Sequence, residues 1–201
     1  MPTTENRFPN SHMLRTILIA VGILGLPSVV LVCEGTLMME VSGMNPFLRQ
    51  YESEIPRSLA QRRLGYSEAE AREYWTALER RPGGLMAQKR FLQIDLLFAL
   101  LLAAAIAFST ISGWAELGRP WNLFVFLVPV LLYLLADWLE TSLHLRAVSM
   151  MVEAGSNVPI DDGTIRLSSY ATIAKWWSVI PAALLLIGIT IAIFVRHFKT
   201  T

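Results

Sequence analysis

Four apolar runs constrain this chain before anything else does. They cover residues 14–33, 91–112, 122–145 and 172–196. Each has about the 20 residues that an α-helix needs to cross a hydrocarbon layer roughly 30 Å thick. Lipid offers the backbone no water, so such runs fold as helices whose N–H and C=O groups pair internally. The expected fold class is therefore all-α, an integral membrane four-helix bundle. Charged residues make up only 16% of the 201 positions, well below the roughly 25% of soluble domains. A net charge of +1 gives no global field for nucleic acid, and no basic–aromatic repeat or zinc-ligand spacing occurs. The single cysteine, Cys33, excludes an internal disulfide.

Between the runs lie polar segments of unequal length. Residues 1–13 and 197–201 read as polar tails. The first run is too long for a signal-peptide core and lacks a small-residue cleavage site, so it is expected to be retained, with a kink at Pro27. The segment 34–90 is the largest polar region and carries Arg49, Arg57, Arg62, Arg63, Arg72, Arg80, Arg81, Lys89 and Arg90. Within it, Ser67 followed by Glu70 is a capping box, and Pro82-Gly83-Gly84 is a stop. These predict a short amphipathic helix over about 67–80. Tyr74, Trp75 and Leu78 share one side of it, which suits a helix lying on the membrane surface or on the bundle's end. Ala103, Ala104 and Ala107 offer the second run a small-residue face. Gly118 and Pro120, between Trp114 and Trp121, mark a short turn that makes the second and third runs antiparallel. Residues 146–171 read as a second polar loop, with turn signals at Gly155-Ser156-Asn157 and Asp161-Asp162-Gly163.

The third run carries the chemistry. Tyr133, Asp137, Glu140 and His144 are spaced by four, three and four, which puts them on one helical face in an otherwise apolar segment. A charge at mid-bilayer costs roughly 2.5–3.5 kcal/mol on insertion scales, so such groups face protein and pair with one another. Asp95 lies about one turn inside the second run and Lys175 near the start of the fourth. With runs of alternating direction, Glu34, Asp95, Asp137, Glu140, His144 and Lys175 all fall toward one membrane face. The expectation is one polar cluster inside the bundle. Asp95, Asp137, Glu140 and Lys175 are the candidates for chemistry, and Tyr133, His144, Glu34 and Arg146 for binding. The acids outnumber Lys175, so a proton, Arg90, Arg146 or a cation must supply the balance. A Lys–carboxylate pair also serves simply to fix helix register. His144 with Glu140, plus Asp137, could hold a metal, but one histidine is fewer than such sites use, and no metal or other cofactor is expected. Neither a nucleophile elbow nor a phosphate loop nor a dinucleotide fingerprint occurs.

Gly65-Tyr66-Ser67 before a helix, Asp95 at the start of a run, Asp137-Trp-Leu-Glu140 late in another, and Thr172-Ile-Ala-Lys175 at the start of the last form an ordered set. Over roughly 64–177 this set resembles a mostly bacterial family of four-span membrane proteins with no accepted reaction. The resemblance implies the four-span fold and the same candidate site, in a bacterial inner membrane. Two departures stand out: Thr141 occupies a position where that pattern has Asn, and Pro82-Gly83-Gly84 replaces a Gly-Arg pair.

Most of the Lys and Arg lie in the two large polar segments, which by the positive-inside rule places them on the cytoplasmic side. Around the first run the sign reverses, with Arg7 and Arg15 before it and Glu34 and Glu40 after it. Two functions fit. One is a non-enzymatic membrane subunit or scaffold, its cluster locking the bundle and its 40–90 segment meeting anionic lipid headgroups or a membrane-protein partner. The alternative is a small membrane-embedded enzyme or carrier for a lipid-like or protonated substrate, with Asp137 and Glu140 moving protons and Lys175 stabilising charge.

Overall fold

The computed structural model describes residues 10–42, 59, 62–118, 123–154 and 160–198, with side chains of the first helix over 17–33. The described residues form five helices and no strand: α1 (Asn10–Ser42), α2 (Glu68–Glu79), α3 (Gly84–Glu116), α4 (Leu123–Ala154) and α5 (Asp162–Phe198). Three of them, α3, α4 and α5, are long and apolar enough to cross a membrane, and α1 contains a shorter apolar stretch, Ile17–Cys33. The α3 and α5 helices pack against each other and both pack against α4 on one side and α1 on the other. Pro27, Pro129 and Pro181 are all accommodated inside continuous helices.

The outward faces are apolar. Leu100, Phe108, Phe124, Leu131, Leu184 and Ile191 are all exposed, while Asp95, Asp137, Glu140 and Thr172 are buried. This inversion of the soluble pattern is what a hydrocarbon surround demands. Exposed Tyr170 and Trp177 sit in the first half of α5, and amphipathic rings suit the lipid–water boundary. Gly113 lets three helices approach closely: a Cβ there would stand 2.5 Å from Ile189 of α5 and 3.0 Å from Ile23 of α1. On the small-residue face expected of α3, Ala103 is buried, whereas Ala104 is exposed.

The long helices overrun the expected spans at one end. At 1.5 Å per residue, the 33 residues of α3 extend about 50 Å, against a hydrocarbon core of about 30 Å. The helix starts at Gly84 instead of 91, α4 continues to Ala154, and α5 begins at Asp162. Residues 146–171 are therefore mostly helix, not loop. The polar composition of 146–154 and 162–171 hides an amphipathic continuation: Ala147, Val148 and Met151 of α4 and Ile165 of α5 are buried. The turn signal at 155–157 falls outside the described residues. Asp161 acts as the cap of α5, its Oδ2 accepting from Thr164 N at 2.9 Å.

These overhanging turns form a cap, and α2 closes it. Ser67 Oγ accepts from Glu70 N, and the Glu70 carboxylate accepts from Ser67 N at 2.7 Å, so the predicted capping box is present. Ala71, Tyr74, Trp75 and Leu78 point inward and join Ala147, Val148, Met151, Ile160 and Ile165 in one apolar core. Of the two positions expected for this helix, it takes the bundle's end. Two ion pairs tie it to α5, Arg72–Asp162 at 2.5 Å and Arg166–Glu68 at 2.6 Å, and Tyr74 donates to Gln88 of α3. A second core, of Ile23, Leu102, Ile106, Val130, Leu186 and Ile189, fills the membrane half.

The Glu70 carboxyl is held below the usual glutamate range, first by the backbone N–H of Ser67 and then by its hydroxyl. A depressed pKa means that its contribution is complete above the unfolded value and is lost as pH falls through the folded one. The protection of α2 amides, taken as the observed exchange relative to the intrinsic rate at each pH, is therefore expected to fall on acidification below the ordinary glutamate range, and Glu70→Gln is expected to flatten that dependence.

Candidate functional site

The two apolar cores are separated by a polar layer. From α3 comes Asp95; from α4 come Tyr133, Asp137, Glu140, Thr141 and His144; from α5 come Ser168, Thr172 and Lys175. The 3.6-residue period places each set on one inward stripe.

Lys175 joins the layer together. Its Nζ lies 2.5 Å from Asp137 Oδ1 and 3.4 Å from Glu140 Oε2. Those two oxygens are buried with no hydrogen-bond partner of their own, so the ammonium is what compensates them. The other oxygen of each carboxylate accepts from a hydroxyl: Asp137 Oδ2 from Tyr133 at 2.9 Å, and Glu140 Oε1 from Thr172 at 2.8 Å. Asp95 Oδ2 accepts from Thr141 Oγ1 at 2.8 Å. Thr141, the departure from the resembled Asn, thus orients an acid on the neighbouring helix. The side chains of Asp137 and Glu140 are 3% and 1% exposed, and that of Lys175 is 16% exposed.

Toward the cap the layer continues through neutral groups. Tyr66, in the segment before α2, inserts its ring between α4 and α5. Its hydroxyl lies 2.6 Å from His144 Nε2 and 2.7 Å from Ser168 Oγ, and its backbone N–H donates to Ser169 Oγ at 2.8 Å. Burial, with Glu140 nearby, pushes the phenol further above its ordinary range, so it stays protonated. The insertion depends on Gly65, whose φ is 79°. A Cβ there would fall 2.6 Å from Ser169 Oγ and 3.0 Å from Ile173, so the Gly-Tyr order lets the backbone press onto α5 while the ring reaches inward. Trp75 packs edge-on to His144 at 6.3 Å, and Arg63 covers Trp176 at 4.8 Å.

The structure brings together Asp95, Tyr133, Asp137, Glu140 and Lys175, with His144 one step toward the cap. Arg146 and Arg90 are exposed and take no part. Arg146 lies two positions beyond His144, about 200° round the helix. Glu34 belongs to α1, but its side chain lies outside the described residues. Sequence reasoning noted Tyr66, Thr141 and Thr172 only as parts of the motif set and did not single out Ser168, so it missed all four as hydroxyl partners. Ser168, Thr172 and Lys175 repeat on α5 the four-then-three spacing of the α4 stripe, which was a readable signal. Among the described residues no three His, Cys, Asp or Glu are grouped to hold a metal.

The class defined by this fold and layer is an all-helical protein with three helices able to cross a membrane and an acid–lysine layer buried between two apolar cores along them. No family model, curated protein or solved structure matches the chain.

Removing one member of such a pair strands the others. Lys175→Met leaves two buried carboxylates uncompensated and is expected to cost about 3–5 kcal/mol. Thermal or denaturant unfolding of the detergent-solubilised protein checks this, and a loss under about 1 kcal/mol would contradict the pairing described here.

Proposed function

We propose that this chain is a non-enzymatic multi-pass membrane subunit or scaffold whose polar layer locks α3, α4 and α5 in register. In this reading α1 makes the first of four crossings, as in the family that the sequence resembles. The membrane is a bacterial inner membrane, and the cap lies on the cytoplasmic side with most of the Lys and Arg. The cap and the 40–90 segment face lipid headgroups or a membrane-protein partner. The observation that carries the reading is Lys175 seated between Asp137 and Glu140 with both acids almost fully buried. A closed ion pair with satisfied outer oxygens suits holding helices together better than admitting a substrate.

The lock makes a compensation prediction. Because Lys175 serves two acids, pairing Lys175→Met with Asp137→Leu still strands Glu140. That double variant is expected to recover only part of the lost stability, and adding Glu140→Met is expected to recover most of the remainder. A triple variant as unstable as Lys175→Met alone would remove the locking role.

The second reading, an enzyme or carrier for a lipid-like or protonated substrate, has one observation in its favour: three buried acids meet one ammonium. A pure lock needs no such surplus. It requires that the stability-compensated triple variant lose whatever activity the intact protein has.

Orientation is tested by labelling. With Cys33 replaced by Ser, single cysteines placed across the 40–90 segment are expected to resist a membrane-impermeant maleimide in intact cells and to react after lysis. Labelling of intact cells would reverse the topology.

A further inference from the structure

Asp95, Asp137 and Glu140 outnumber Lys175 by two, and one of the two surplus charges can be placed. Lys175 Nζ reaches Asp137 Oδ1 and Glu140 Oε2, whereas the hydrogen bond of Asp95 is with the Thr141 hydroxyl. Every described element packed around Asp95 can be checked for a second cation. From α4 the facing titratable groups are Asp137 and Glu140, with Tyr133 deeper and His144 toward the cap. From α5 it is Lys175, while Tyr66, in the segment before α2, is engaged by His144 and Ser168. The α3 residue Arg90 and the α4 residue Arg146 are exposed. The described side chains of α1, 17–33, include no charged residue. Beyond Tyr133 the interior is the apolar membrane core, so nothing compensates Asp95 from that direction.

An ionised Asp95 would therefore stand buried beside two other acids that already claim the one ammonium. A carboxyl has an alternative to ionisation: it can keep its proton and donate it. Thr141 Oγ1, 2.8 Å away, offers lone pairs to receive that donation if its own hydroxyl hydrogen turns elsewhere. We propose that Asp95 is a proton-binding site, its carboxyl neutral in the folded protein at neutral pH and donating to Thr141 Oγ1.

The proton is taken up from water as the layer closes, and no other bond is made or broken. On the cap side of the layer lie Tyr66, His144 and the hydroxyls of Ser168 and Thr172, hydrogen-bonded among themselves. The inference rests on reading the layer as a closed site within the membrane bundle. The two fail separately, because the lock is judged by the stability of compensated variants and the proton by vibrational spectroscopy.

Infrared spectra of the full chain in phosphatidylcholine/phosphatidylglycerol vesicles at neutral pH provide the test. The expected result is the carbonyl stretch of a protonated carboxylic acid, shifted in heavy water and removed by Asp95→Asn. Thr141→Val keeps the acid but removes its hydrogen-bond partner, so the band is expected to move to higher frequency. Absence of the band in the wild type, or a band that Asp95→Asn leaves whole, overturns the proposal. If Asp95→Asn does not fold, the Thr141→Val spectrum decides, and an unmoved band overturns it equally.

Discussion

The contact of one ammonium with two carboxylates organises this molecule. Lys175 arrives from α5, and both Asp137 and Glu140 belong to α4. An ion pair inside a membrane protein has no water to fall back on, so neither helix can rotate or slide without exposing an uncompensated charge. Apolar packing alone does not supply that constraint, because lipid tails compete with leucine for the same surfaces. The membrane core of Leu102, Ile106, Val130 and Leu186 can then pack as it does because the layer above it fixes the register.

The same layer sets the boundary between two environments. On one side the outer surface is greasy, as at Phe108, Leu131 and Leu184. On the other side the helices carry exposed Arg146, ion pairs to α2 and the aromatic core beneath Trp75. The cap is not a separate domain on a linker. It is built from the ends of the same three helices, with α2 laid across them.

Much of this was written locally in the sequence. The α4 stripe follows from the spacing of Tyr133, Asp137, Glu140 and His144, and α2 follows from Ser67, Glu70 and the Pro82-Gly83-Gly84 stop. Local signals failed at two kinds of place. Hydropathy marks where lipid ends, not where a helix ends, so the polar continuations of α4 and α5 read as loop although Ala147, Val148 and Ile165 keep an apolar side. Long-range partners were also invisible: nothing near Tyr66 reveals that its hydroxyl meets His144, 78 residues on, or Ser168, 102 residues on. Arg146 was assigned to the site by proximity along the chain, which helical geometry undoes.

Those separations along the chain impose an order on biogenesis. The surface on which Tyr66, Trp75 and Leu78 come to rest is supplied largely by residues between His144 and Ser169. A ribosome that has just released α2 has not yet made its docking platform. Until the last helix is made, these side chains lack the apolar partners they have in the folded protein. Completion of α5 thus brings Lys175 to its acids and Ser168 to Tyr66 in a single event, and the membrane and aqueous halves of the molecule mature together.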